Sequence, residues 1–280
     1  MRSRTRTMID MLSYGFMQRA LAAGVLVGVL CGLLSFFVVL RRLSFIGVGI
    51  SHSAFGGVAI GVLTGFDPLL LAGLVCTLVA WGIGWVSRRG RLHEDTAIGI
   101  LFSSVMALGI ALISLSHDYQ VDLFGYLFGN ILAVAPRDLV LLATATVAVV
   151  VVVGALFRTL LFVAFDEEVA RANGLPVDML QYLLLTSLAV AVVAAMRVVG
   201  IILVEALLVI PAAVGVQLTR GYRAMLTVSI AVAIIAAVSG VCLSYVFNVA
   251  AGATIILVAS VMFFVSLALG RRRQSPARLR

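Results

Sequence analysis

Two ionisable side chains stand inside apolar runs long enough to cross a membrane, and both are of types that bind metal ions. His52 lies in GVGISHSAFGGVAIG (Gly47–Gly61), and Glu205 lies in RVVGIILVEALLVIPAAVG (Arg197–Gly215). Neutral imidazole is the commonest transition-metal ligand. A carboxylate at this depth costs about 3 kcal/mol or more unless it is paired or wet. Each residue also has a structural reading: His52 hydrogen-bonded to a neighbouring helix, and Glu205 protonated against a backbone carbonyl or paired with Arg197. The functional reading makes them ligands or gates on a translocation path.

Depth relates the two. His52 is nine residues from one end of its predicted span, ~14 Å in, and Glu205 is seven from the opposite end of its own, ~11 Å in. Across ~30 Å of hydrocarbon the two levels differ by roughly 5 Å, close enough for one site if the helices touch. Beside His52, Gly49, Ser53, Gly57 and Gly61 recur every four residues. Such a stripe admits a close helical neighbour, so His52 is expected to face packed protein or a cavity and not lipid. Pro211 lacks a backbone donor and is expected to kink the helix that carries Glu205.

A polytopic bundle must position such groups. Of the 280 residues 63% are hydrophobic and 11% charged, with a mean hydropathy of +1.20. That is too apolar for a soluble domain. With about 20 residues needed per crossing, the apolar runs predict about eight or nine spans: 20–40, 43–63, 69–87, 97–115, 139–163, 179–196, 198–218, 224–247 and 249–270. The expected fold class is all-α, a polytopic transmembrane helical bundle, with residues 1–280 forming a single membrane domain. Val121–Pro136 is short and glycine-rich, and suits a short or re-entrant helix. The basic start MRSRTR resembles a signal peptide, but Ala20–Leu40 exceeds an h-region and ends in Arg41-Arg42, so it reads as a retained span.

All 20 basic residues are arginine. They sit at the ends of apolar runs, a topology signal and not a nucleic-acid surface. Placing Arg41-Arg42 inside gives 14 arginines on that side against 6 on the other, which makes the 164–178 loop and the 271–280 tail cytoplasmic. The basic N-terminus (Arg2, Arg4, Arg6, Arg19) then lies outside, against the rule. Without lysine there is no Walker A sequence, so if the protein uses ATP, another chain binds it. No H-E-x-x-H marks an intramembrane enzyme. Cys31, Cys76 and Cys242 stand alone in apolar runs and read as buried small hydrophobes.

Three loops carry further polar groups. AFDEEVARANGLPVD (Ala164–Asp178) reads as a capped short helix, with acids at its N-terminus and Gly174 at its end; it is either a solvated turn or a surface for a protein partner. In RRGRLHEDTAIGI (Arg88–Ile100), His93, Glu94 and Asp95 point apart on a helix and read as a cap for the span starting at Ala97. SHDYQVD (Ser116–Asp122) reads as a wet outer loop with some capacity to receive a cation.

Five runs, FVVLRRLSFIGVGISHSAFGGVAIG, EDTAIGILFS, DLFGYLFGNIL, FDEEVARANGL and VGIILVEALLVIPAAVG, together resemble the membrane permease of ATP-binding-cassette importers for zinc, manganese and iron. The resemblance implies a multi-pass protein of the bacterial cytoplasmic membrane, paired with a second permease copy around one path. It also implies two cytoplasmic ATPases that use the ATP and an extracytoplasmic metal-binding protein that delivers the ion. No cofactor is expected on this chain; the divalent metal ion is its cargo. The 164–178 loop, through Phe165, Asp166, Glu167, Ala170 and Gly174, with Glu168 and Arg171 in the same helix, matches the coupling helix that meets the ATPase. His52 matches the family's membrane histidine. Many members carry G-D-x-x-S-H here, whereas this chain has Val48 in place of the aspartate. The expectation is that Glu205 restores the lost acid, giving a His/Glu metal site from two helices. The alternatives are a proton-coupled secondary transporter in which Glu205 titrates, and an ABC permease for a metal chelate.

Overall fold

The computed structural model describes residues 13–90, 92–115, 129 and 131–273. Every regular element among them is helical. In chain order they are α1 (Gly15–Leu40), α2 (Ile46–Thr64), α3 (Pro68–Gly90), α4 (Glu94–Leu115), a 3-10 turn (Ile131–Ala133), α5 (Pro136–Ala155), α6 (Phe157–Phe165), α7 (Glu167–Ala172), α8 (Val177–Val199), α9 (Ile201–Leu207), α10 (Ile210–Leu218), α11 (Tyr222–Phe247) and α12 (Ala251–Arg273). Nine stretches among the described residues, with α9 and α10 counted as one, are long and apolar enough to cross a membrane.

Most helices start or end a turn beyond the predicted runs, because their terminal turns are polar. α5 begins at Pro136, three residues before the apolar run. Proline fits a first turn that needs no donor there, and Asp138 suits the positive end of the macrodipole. α4 likewise begins at Glu94, so Glu94 and Asp95 lie within its first turn and not ahead of it. The predicted span 139–163 is divided at Leu156 into α5 and α6.

The break placed at Met196-Arg197 falls instead at Gly200, whose φ of 83° and ψ of 160° suit only glycine. Arg197 stays in the last turn of α8 and pairs with Asp138 at 3.3 Å, not with Glu205. The kink expected from Pro211 is a complete interruption: the chain breaks at Leu208–Val209 and restarts as α10. Ser35 of α1 accepts a hydrogen bond from the Ala212 amide at 3.1 Å, which satisfies a donor exposed by that restart.

Helices α1, α2 and α8 form the buried centre. α1 lies along α11, where Ser229 donates to the Gly32 carbonyl at 2.7 Å. α2 is clasped by α3 and α4 along its small-residue stripe. A β-carbon on Gly57 would lie 2.5 Å from Ala72 Cα and 2.6 Å from the Leu71 carbonyl oxygen, so only glycine allows that approach. α4, α5 and α12 turn exposed apolar side chains such as Leu108, Val147 and Phe264 outward, as lipid-facing helices do. Cys31 and Cys76 are buried, Cys242 is half-buried, and all three are free.

The loop Ser116–Asp122, most of Val121–Pro136, Arg2, Arg4, Arg6, Arg91 and residues 274–280 fall outside the described residues.

Candidate functional site

The structure brings His52 and Glu205 together. His52 Nδ1 lies 2.9 Å from Glu205 Oε1, across the contact between α2 and α9. The helix interruption after Leu207 makes α9 a short separate rod, and Glu205, its fifth residue, meets His52 of α2. Both side chains are partly exposed, 26% for His52 and 17% for Glu205, so the pair borders open space and is not sealed in the core.

Three further groups set the geometry. Ser51 Oγ donates to Glu205 Oε1 at 2.5 Å. His52 Nδ1 also lies 3.1 Å from the Val48 carbonyl oxygen, one turn earlier in α2. A carbonyl only accepts, so Nδ1 carries the proton and donates to both oxygens. When the ring is neutral its lone pair lies on Nε2, the arrangement in which a carboxylate orients a metal-binding imidazole. Phe102 of α4 meets the imidazole edge-on, with ring centroids 5.9 Å apart, and limits its rotation. Glu205 accepts both of these contacts on Oε1.

Among the described residues, no group of three or more His, Cys, Asp or Glu is placed to hold a metal ion. His52 and Glu205 therefore form a two-donor set. His93, Glu94 and Asp95 do not converge: Glu94 accepts from Gln181 at 3.3 Å instead.

The 164–178 segment forms a short helix at the arginine-rich face. Asp166 caps α7 by accepting from the Val169 amide at 2.9 Å. Asn173 closes the helix, and Gly174 follows with φ 76°. Ala170 is buried, while Phe165 (64% exposed) and Val169 (45%) project outward with Glu168. Glu167 turns inward to Arg41 at 3.6 Å and to Arg88 at 3.2 Å, and Arg171 reaches it at 3.3 Å. Asp178 pairs with Arg88 and with Arg171. Burial pulls the Arg41 guanidinium below its ordinary range, and the neighbouring Glu94 and Glu167 oppose that shift.

Sequence reasoning paired His52 with Glu205 but missed Ser51, Phe102 and the roles of Arg41 and Arg88. Ser51 adjoins the histidine, and its hydroxyl on the same helix was a readable signal. The arginines were read only as topology markers.

The chain is 40% identical over 254 residues to the manganese transport system membrane protein MntC of Halalkalibacterium halodurans, covering 91% of this chain and 87% of that one. It is 35% identical to a probable iron transport system membrane protein of Haemophilus influenzae, covering 95% and 98%. The solved structure of PsaBC from Streptococcus pneumoniae in complex with Fab superposes with a TM-score of 0.83 at 37% identity, over 94% of this chain and 95% of that one. Residues 13–270 match the ABC 3 transport family. With this match over nearly its whole length, the chain belongs to the ABC 3 transport family, as a multi-pass membrane permease component and not an enzyme.

Proposed function

We propose that the protein is the permease subunit of an ATP-driven importer of divalent transition-metal ions, and that His52 and Glu205 are the ion's ligands on the path. The observation that carries this reading is the 2.9 Å contact between an imidazole and a carboxylate inside the membrane-spanning bundle. The names of the relatives, manganese first and iron second, support a metal cargo. An imidazole nitrogen with carboxylate oxygen suits manganese, ferrous iron or zinc. Two donors per chain bind weakly, which a conducting path requires, since a tight site would hold its ion. A second permease copy across the path would bring the set to four donors. In this reading the exposed side of α7, with Phe165 and Val169, docks the cytoplasmic ATPase. An extracytoplasmic binding protein delivers the ion to the bacterial cytoplasmic membrane.

The test is uptake by the complex reconstituted with its ATPase and binding protein, measured side by side for manganese, iron(II) and zinc. His52→Ala and Glu205→Gln are expected to raise the concentration of the preferred ion needed for half-maximal uptake about tenfold or more while the ATPase still binds. Normal uptake in both variants would return the pair to helix packing. Uptake by the chain alone, driven by a proton gradient without ATPase, would instead establish the secondary-transporter reading.

A further inference from the structure

The inward side of α7 is built differently from its outward side. Glu167 sits among three guanidinium groups from three elements: Arg41 after α1, Arg88 near the end of α3, and Arg171 on α7 itself. Arg88 also engages Asp178 and Gln181 of α8, and Gln181 in turn donates to Glu94 at the start of α4. The cleft among these groups, about 510 Å³, is lined by Arg41, Arg88, Glu94, Glu167 and Gln181 among others.

Helices α3, α4 and α8, which this network gathers, pack against α2, the helix that carries His52. Arg41 and Arg42 form the elbow into α2, with Arg42 at a φ of 59° that non-glycine residues seldom adopt. The elbow ends at Ile46, and His52 follows six residues later, ~9 Å along the axis. α3 supports the same helix, since Cys76 Sγ donates to the Ile50 carbonyl at 3.2 Å. α4 supplies Phe102 against the imidazole. Arg41 is nearly enclosed, with 10% of its side chain exposed, so its position follows that of its partners.

Resting on the proposed function, we infer that Glu167 is a positioning residue: it does not contact the ATPase but ties α7 to the Arg41 elbow and to Arg88, so that displacement of α7 is passed to the helices framing His52 and Glu205. Glu167 is paired within its own chain to Arg41, Arg88 and Arg171. Paired, partly buried charges move together because separating them strands a desolvated ion.

The experiment compares wild type, Glu167→Gln, Arg41→Gln and the double variant in the reconstituted complex. It measures ATPase binding, ATP hydrolysis, and manganese imported per ATP hydrolysed. Coupling between distant sites typically amounts to about 5–150-fold, so each single variant is expected to lower manganese imported per ATP about fivefold or more while ATPase binding persists. Because both changes break one link, the double variant should be no worse than either single. An unchanged ratio in Glu167→Gln overturns the inference. So does loss of ATPase binding in that variant, which would make Glu167 a docking contact, and so does a double variant whose loss is the product of the singles. Glu167 is substantially exposed, so Glu167→Gln remains informative even if Arg41→Gln fails to fold. A wild-type complex that imports no metal refutes the proposed function, and the inference with it. Wild-type import with a normal Glu167→Gln ratio refutes the inference alone.

Discussion

If Glu205 replaces an acid on α2, then restoring that acid should make Glu205 dispensable. The perturbation is Val48→Asp combined with Glu205→Gln. Glutamine keeps an oxygen for the 2.5 Å hydrogen bond from Ser51, so the single variant removes the charge and little of the packing. Losing a group that ligates or orients a ligand costs about 10–100-fold in metal affinity. Glu205→Gln should therefore raise the manganese concentration for half-maximal uptake at least about tenfold, or ~1.4 kcal/mol. Val48 lies one turn before His52, where the β-carbons of i and i+4 residues are ~5–6 Å apart. Its carbonyl is already 3.1 Å from the imidazole, and its side chain is half-buried, not sealed. Aspartate is close to valine in volume, so it enters without overpacking. In the double variant the half-maximal concentration should return to within about threefold of wild type, the remainder reflecting a shorter acid in a different approach. The assay is radioactive manganese uptake into proteoliposomes. A double variant no better than Glu205→Gln, in protein that still assembles with its ATPase, would refute the reasoning.

Other consequences are more local. Gly57→Val would place a β-carbon 2.5 Å from Ala72 Cα and 2.6 Å from a backbone oxygen, neither of which can rotate away. A loss of ~1–3 kcal/mol or more is expected, seen as a lower Tm in detergent; Gly99→Ala, with nothing within 4 Å, is the control and should not lower Tm. Asp166→Ala removes the α7 cap and should cost ~1 kcal/mol of local helix stability. If the helix docks the ATPase, the ATPase should bind about fivefold more weakly in a pull-down titration, and equal binding would separate α7 from docking.

The bundle was readable because lipid imposes a coarse rule: an uninterrupted apolar run must become a helix. Helix ends were not, since Pro136 and Glu94 belong to helices through their caps and dipoles and not through apolarity. Gly200 shows the same limit. An arginine seemed the natural separator, but a left-handed backbone position turns the chain while Arg197 remains helical. Depth placed His52 and Glu205 near one level, because an ionisable group in hydrocarbon demands a partner, but it did not show that their helices touch. The Arg41–Glu167–Arg88 network was not legible. Its members lie 47 to 126 positions apart in pairs, and nothing in their spacing distinguishes a structural ion pair from a topology charge.

Where the acid sits changes what the site can sense. An aspartate one turn before the histidine would share a rigid helix with it, and their separation would be fixed in every state of the protein. Glu205 stands on α9, a seven-residue rod bounded by Gly200 and by the break at Leu208–Val209. The distance between the two side chains is thus set by how α2 and α9 pack, where Ser51 and His52 both contact the Glu205 carboxylate. Helix α2 is held at its elbow by the charges around Glu167, whereas none of those ion pairs involves α9. A shift of α7 would accordingly move His52 relative to Glu205 and weaken a two-donor site in one step. If His52 and Glu205 ligate the ion, a pair split between helices couples ion release to helix motion, whereas a His/Asp pair on one helix would need a second permease copy to do the same.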